Sequence, residues 1–177
     1  AHHDGGYSTF RVNITTALAQ ENLIVVAVDN QKNDTVYPQN ADFTFYGGLY
    51  RDVNLIAVND SRFDLDYFGG PAIEETPTIK GQTANVEIEV YLTNPEFKQT
   101  LTYTIKDNNG FVIKDTTVPV EQTKVSLSME QVHLWHGRKD PYLYTAEVVL
   151  IEDGIVLDKV TTRFGCRTFH IDSEQAL

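Results

Sequence analysis

Val86, Ile88, Val90 and Leu92 alternate with Glu87, Glu89 and Tyr91, which makes one face of an extended segment apolar and the other wet. The same two-residue period returns at Leu101, Tyr103 and Ile105, and again at Val125, Leu127 and Met129. Apolar side chains on one side of a strand need a second layer to cover them, so a chain of half-buried strands folds by stacking sheets. Helical periodicity offers no competing solution. Its one short candidate is Thr15 to Gln20, where Thr15 or Thr16 would cap a single turn.

The turn signals agree. Asp107-Asn-Asn-Gly110 tolerates positive φ and joins the strand at Leu101 to the next at Phe111 to Lys114. Glu152-Asp-Gly154 does the same between Tyr142 to Ile151 and Ile155 to Phe164. With Arg62 to Phe68 and Thr116 to Val120 the count reaches about seven strands in roughly 105 residues, the size of an immunoglobulin-like sandwich. The expected fold class is therefore all-β, an immunoglobulin-like β-sandwich preceded by a partial sheet.

That partial sheet comes first in the chain. Leu23-Ile-Val-Val-Ala-Val28 is a continuous run of the kind found in strands covered on both faces, Asp29 to Asn40 is a polar loop, and Leu49 to Val58 reads as the next strand. Three or four strands are too few for an independent core, so part of this sheet is expected to lie outside the chain. Gly69-Gly-Pro71 and Pro77 interrupt the pattern, but the junction is expected at Val58-Asn-Asp-Ser61. The organisation is thus 1–59, a sandwich over 60–167, and a linker at 168–177.

A formal net charge of −11 over 177 residues would repel a phosphate backbone or an anionic membrane surface, and no run of Lys and Arg breaks the trend. Neither nucleic acid nor membrane is an expected partner. The longest apolar run, Leu23 to Val28, is far short of the ~20 residues that a membrane helix requires. The single cysteine, Cys166, excludes an internal disulfide and leaves the compartment open. No base is placed beside it by any motif, so it reads as a small core residue.

Catalytic chemistry has few footholds. A glycosidase needs two carboxyl groups facing one sugar, and adjacent Glu74 and Glu75 point to opposite faces of an extended chain, so both are read as solvated loop residues. There is no G-x-S-x-G elbow and no glycine-rich phosphate loop. His133 and His136 flank Trp135, and His2-His3 opens the chain, but neither pair has the three or four ligands of a zinc site. Trp135 reads instead as a core or interdomain anchor. Asp42 stands apart, because Asn40-Ala-Asp-Phe-Thr-Phe-Tyr-Gly-Gly-Leu-Tyr-Arg-Asp-Val53 sets a carboxylate among rings, the pairing that receives sugar hydroxyls and sugar C–H faces. A turn cap or a salt bridge would use the same residue.

This segment resembles the end of the sugar-binding jelly-roll (galactose-binding-like) domain of glycoside hydrolase family 2, where G-G/S-I-Y/F-R-D-V recurs. His3-Asp-Gly-Gly-Tyr-Ser-Thr-Phe10, Asn13-Ile-Thr15 and the Leu23 to Val28 run are similar to H-x-G-G-Y-x-x-F…D-I-T…L…V-x-V-x-N, with Asn13 for the usual Asp. Leu134-Trp-His-Gly-Arg-Lys-Asp-Pro-Tyr-Leu-Tyr144 resembles L-W-x…P-x-L-Y, and Gly165-Cys-Arg167 resembles G-F-R. Four matches in order cover nearly the whole chain.

The resemblance implies a retaining glycosidase, β-galactosidase-like before β-glucuronidase- or β-mannosidase-like, whose catalytic glutamates sit in a barrel that this chain lacks. No catalytic residue is then expected here. Asp42 would touch the sugar and help to hold a monovalent cation, with Na or Mg ions in the full enzyme and no cofactor within this chain. The expected partners are the barrel of the same polypeptide and a β-linked sugar, and an oligomer is compatible with the family. Gly47, Gly48, Arg51 and Asp52 are expected as scaffold, as are Trp135, Pro141 and Tyr144. Two readings from other classes stay open, a stand-alone carbohydrate-binding or interaction module and a pure interdomain spacer.

Overall fold

A computed structural model describes residues 1–37 and 40–169. The chain divides into two compact units, Ala1–Ala57 and Val58–Leu177. The second is all β. Its strands are β1 (Arg62–Phe63), β2 (Ile73–Lys80), β3 (Thr83–Val90), β4 (Leu92–Thr93), β5 (Gln99–Lys106), β6 (Val112–Pro119), β7 (Lys124–Met129), β8 (Tyr144–Glu152) and β9 (Ile155–Phe164).

Two antiparallel sheets stack, one of order β2-β3-β7 and one of order β6-β5-β8-β9, with β1 and β4 forming a small separate pair. Alternation places the core. Val86, Ile88 and Val90 of β3 and Val125, Leu127 and Met129 of β7 cover Leu101, Tyr103 and Ile105 of β5 and Ala146, Val148 and Leu150 of β8, and all are buried. Cross-strand pairs fix the register, as in Val86↔Leu127 and Tyr103↔Val148. Cys166 belongs to the same core, and burial pushes its thiol up to about 11, which leaves it inert near neutrality.

Four sequence expectations need correction in this unit. The strand expected over Arg62 to Phe68 stops at Phe63, and the chain turns through a 3-10 segment at Tyr67–Gly69, where Phe68 takes a φ of 43°. Glu74 and Glu75 are not in a loop but in β2. Pro77 sits inside that strand without breaking it, because β2 is the outer strand of its sheet and has a side on which no N–H is needed. The separate strands expected over Phe111 to Lys114 and Thr116 to Val120 are one strand, β6.

The first unit is built differently. Among the described residues of Ala1–Ala57 the only regular element is a 3-10 turn at Thr15–Ala17. Its cap is neither Thr15 nor Thr16, since the Asn13 side chain accepts the Thr15 amide at 2.9 Å. Leu23 to Val28 and Leu49 to Val58 do not enter a ladder, and Leu23 is 89% exposed and Leu55 77%. A β-branched run sets an extended backbone, but a ladder also needs a neighbouring strand, and none lies beside these segments among the described residues.

Candidate functional site

The first unit joins two stretches that lie far apart in sequence. Tyr50 donates its hydroxyl to the Gly6 carbonyl at 2.9 Å, and Arg51 donates from Nη1 to the Tyr7 carbonyl at 2.9 Å. The Arg51 guanidinium also lies 5.4 Å from the Tyr50 ring centroid. Asn30 donates to the Phe45 carbonyl at 3.2 Å, and its side chain fills the space beside Gly47, where a Cβ would sit 3.1 Å from it. Gly48, at a φ of 91°, makes the following turn. Arg51 thus acts as the expected scaffold.

Asp42 lies in an exposed bend just before Phe43 and Phe45, whose rings stand 5.1 Å apart and tilted. No hydrogen bond ties its carboxylate to another described residue, so the group is presented to solvent beside an aromatic pair. As a cation ligand it is one oxygen donor, and no three His, Cys, Asp or Glu among the described residues converge on a metal. Na and Mg ions take about six oxygens, so Asp42 does not form a cation site with the other described residues.

The paired acidic residues of the second unit split across β2. Glu74 faces outward and accepts from the hydroxyl of Tyr67, which stacks on Tyr91 at 3.8 Å, and from that of Tyr91 at 3.4 Å. The carboxylate holds the Tyr67 hydroxyl proton well above its ordinary range. Glu75 faces the other way, half-buried, with Oε1 sealed and unbonded in the structure. Burial pushes its carboxyl up to about 7, helped by the Glu74 charge. The sequence signal for this strand was masked by an inward-facing carboxyl and a proline.

That carboxyl sets a pH dependence. Because the folded-state value lies above the unfolded one, the folded chain holds the proton more tightly, and stability that is complete below about pH 4.5 is lost as pH rises through 7. Glu75→Gln removes the loss. Thermal melts from pH 5 to 8 should show the variant gaining about 1 to 2 kcal/mol over wild type at the upper end, a figure discounted for the partial exposure of the side chain. Parallel curves at every pH would show that the carboxyl is solvated.

A second cluster closes the other motifs on each other. The Trp135 amide donates to the Cys166 carbonyl at 2.8 Å, and the Arg167 guanidinium lies 5.3 Å from the Trp135 ring centroid. A Cβ at Gly165 would meet Trp135 Cβ at 3.0 Å. His133 stacks on Tyr142 at 4.1 Å, bonds through Nε2 to Asp140 at 2.6 Å, and takes its amide bond to the Tyr144 hydroxyl at 2.8 Å. The histidines here organise a loop. Trp135 is half-buried against the strand exit and stands outside the buried core.

Residues 72–167 match the model of a known family, described as Glycosyl hydrolases family 2. That is more than half of the 177 residues. The chain belongs to glycosyl hydrolase family 2. Among curated relatives, a β-glucuronidase of Bacteroides fragilis is 29% identical over 98% of this chain and 26% of its own length. A β-galactosidase of Thermoanaerobacter pseudethanolicus is 27% identical over 94% of this chain and 23% of its own. The crystal structure of an FMN-binding β-glucuronidase from Facaelibacterium prausnitzii L2-6 superposes with a TM-score of 0.74 at 38% identity, covering 80% of this chain and 22% of that one. This family 2 chain therefore spans about a quarter of the length of the relatives it matches.

Proposed function

We propose that this chain is the non-catalytic part of a retaining glycoside hydrolase. In this reading residues 1–59 belong to the sugar-binding jelly roll, 60–167 form the immunoglobulin-like domain, and 168–177 lead toward the catalytic barrel. The observation that carries it is the ordered motif set, two members of which the fold latches together through Tyr50 to Gly6 and Arg51 to Tyr7. Glu74 and Glu75 support it as well. They stand on opposite faces of one strand and cannot flank one glycosidic bond.

The substrate is a terminal β-galactoside. A terminal β-glucuronide is the second reading, favoured by the name carried by the relative at 38% identity. Asp42 reaches the barrel's pocket and accepts hydrogen bonds from sugar hydroxyls, beside Phe43 and Phe45.

The test uses the parent enzyme and aryl glycosides of both sugars. The parent should hydrolyse one of them with retention of anomeric configuration, and the 177-residue chain should hydrolyse neither. Asp42→Ala in the parent should lower kcat/KM on that substrate about tenfold, the equivalent of ~1.4 kcal/mol for a hydrogen bond to a charged group. A parent inert toward both sugars overturns the reading. So does calorimetric binding of galactose by the 177-residue chain that Asp42→Ala abolishes, the mark of a stand-alone binding module.

A further inference from the structure

The outer face of the β2-β3-β7 sheet has no part in the core and none in the reading above. Alternation puts Glu74, Thr76, Thr78 and Lys80 of β2 on this face, and the pairs Thr76↔Glu87, Thr78↔Asn85 and Asn85↔Ser128 carry it across the sheet. Three rings gather beside Glu74. Tyr67 stacks on Tyr91 at 3.8 Å, Phe68 meets Tyr67 edge-on at 4.9 Å, and Glu74 accepts from the hydroxyls of both tyrosines. Farther along the same strands Thr78, Lys80, Thr83 and Asn85 line an open cleft of about 340 Å³. That lies within the ~300 to 1,000 Å³ of small-molecule sites.

Phe68 is 93% exposed and takes the left-handed φ of 43° that bulky residues seldom adopt. Folding gains little from an aromatic ring held in water on a strained backbone, so its use lies in contact with something outside the core. The chemistry around it says what. Ring faces receive the C–H groups of a sugar, and Glu74 keeps about two of its roughly four lone-pair sites for sugar hydroxyls after serving the tyrosines. Between the rings and the cleft the face is threonine, serine and asparagine, which exchange hydrogen bonds with hydroxyls but give a protein partner no apolar centre. Its charges are Glu74, Glu87, Glu89 and Glu130 against Lys80 and Lys124. That acidic excess repels uronates, phosphates and a second copy of the same face. Pro77 also interrupts the edge along which another chain would pair with β2.

We propose that this face binds a neutral oligosaccharide, stacked on the rings of Tyr67, Phe68 and Tyr91 and hydrogen-bonded along β2 and β3 into the cleft at Thr78 and Asn85. Glu74 and Lys80 stand six residues apart on one strand, roughly 20 Å at ~3.3 Å per residue. One sugar ring is much shorter than that, so the ligand is a chain rather than a monosaccharide. The site lies wholly within the second unit and makes no use of Asp42. It goes beyond the glycosidase reading and does not depend on it.

Native gels cast with soluble β-1,4-galactan, galactomannan or xyloglucan test this on the 177-residue chain, with polygalacturonate as the charged control. At least one neutral polymer should retard the chain, and polygalacturonate should not. Phe68→Gly should weaken the apparent Kd about tenfold, the scale of one lost aromatic contact. Its melting midpoint should hold or rise, because glycine relaxes the left-handed backbone. Thr78→Glu should weaken binding too, by filling the cleft and adding charge, while Asp42→Ala should leave it unchanged. Migration that ignores all three neutral polymers overturns the proposal. So does a Phe68→Gly variant that melts lower and binds as before, since the ring is then structural. Binding that Asp42→Ala abolishes places the sugar in the first unit, and retardation by polygalacturonate that Phe68→Gly removes refutes the neutral class. Hydrolysis by the parent, or its failure, bears on the glycosidase reading and leaves this site as it stands.

Discussion

Tyr103→Ala should cost the chain about 3 to 5 kcal/mol, a large share of the roughly 5 to 15 kcal/mol that holds a typical domain together. Tyr103 is fully buried on β5, which lies between β6 and β8 and is therefore covered along both edges as well as on its inner face. Leu101 and Ile105 flank it at zero exposure, so the space left by the ring would be lined by side chains already locked in place. The hydroxyl adds less. It donates to the Gln122 carbonyl at a long 3.3 Å, so Tyr103→Phe should cost only about 1 kcal/mol. Urea unfolding of the two variants reads both numbers. Equal costs would mean that the hydrogen bond, not the packed ring, carries the site, and a cost under about 1 kcal/mol for alanine would mean that the core can collapse around the gap.

Strands such as β3, β5 and β7 were legible in the sequence because each has one face in the core and one in water, and period-two alternation is the direct record of that. β2 was not, since its inward face carries a carboxyl at Glu75 and, at Pro77, a residue without an N–H for the ladder. Both are tolerated for one reason. An outer strand has a free edge for the proline and a partly wet inner face for the carboxyl. β6 is outer too, and residues 112–115 are exposed on both faces, so nothing in the sequence distinguished one long strand from two short ones. In the first unit the β-branched run at Leu23 to Val28 encodes an extended backbone but not a partner. Pairing is a non-local property that no window of neighbouring residues contains.

The candidate site divides along the same line. Asp42, Arg51 and Trp135 stood out locally, by a carboxylate among rings, by a motif, and by being the single tryptophan. The contacts that give them meaning did not. Arg51 reaches a carbonyl 44 residues away, and the Trp135 amide reaches the Cys166 carbonyl in the Gly165-Cys-Arg167 segment.

Gly165→Val is the variant that tests how firmly the two carboxy-terminal motifs are locked together. Gly165 needs no left-handed backbone, so any penalty comes from space. A Cβ there would lie 3.0 Å from Trp135 Cβ, 3.2 Å from Cγ and 3.3 Å from Leu143 Cδ2. Turning the indole does not relieve the contact with Trp135 Cβ, which stays in place when the ring rotates, and the backbone that carries it is held by the amide bond to Cys166. Valine adds two further methyl groups to that contact, and overpacking of this kind costs about 1 to 3 kcal/mol. The chain has one tryptophan, so its emission reports this contact alone, and the variant should shift it toward that of a solvated indole as the loop at 131–143 is pushed away. Gly154→Ala supplies the contrast, since that glycine has a φ of 78° and open space around it, and its cost of about 1 kcal/mol should come with no change in emission. If Gly165→Val also leaves the emission unchanged, the loop is free to move, and the L-W and G-C-R segments are neighbours without being a clamp.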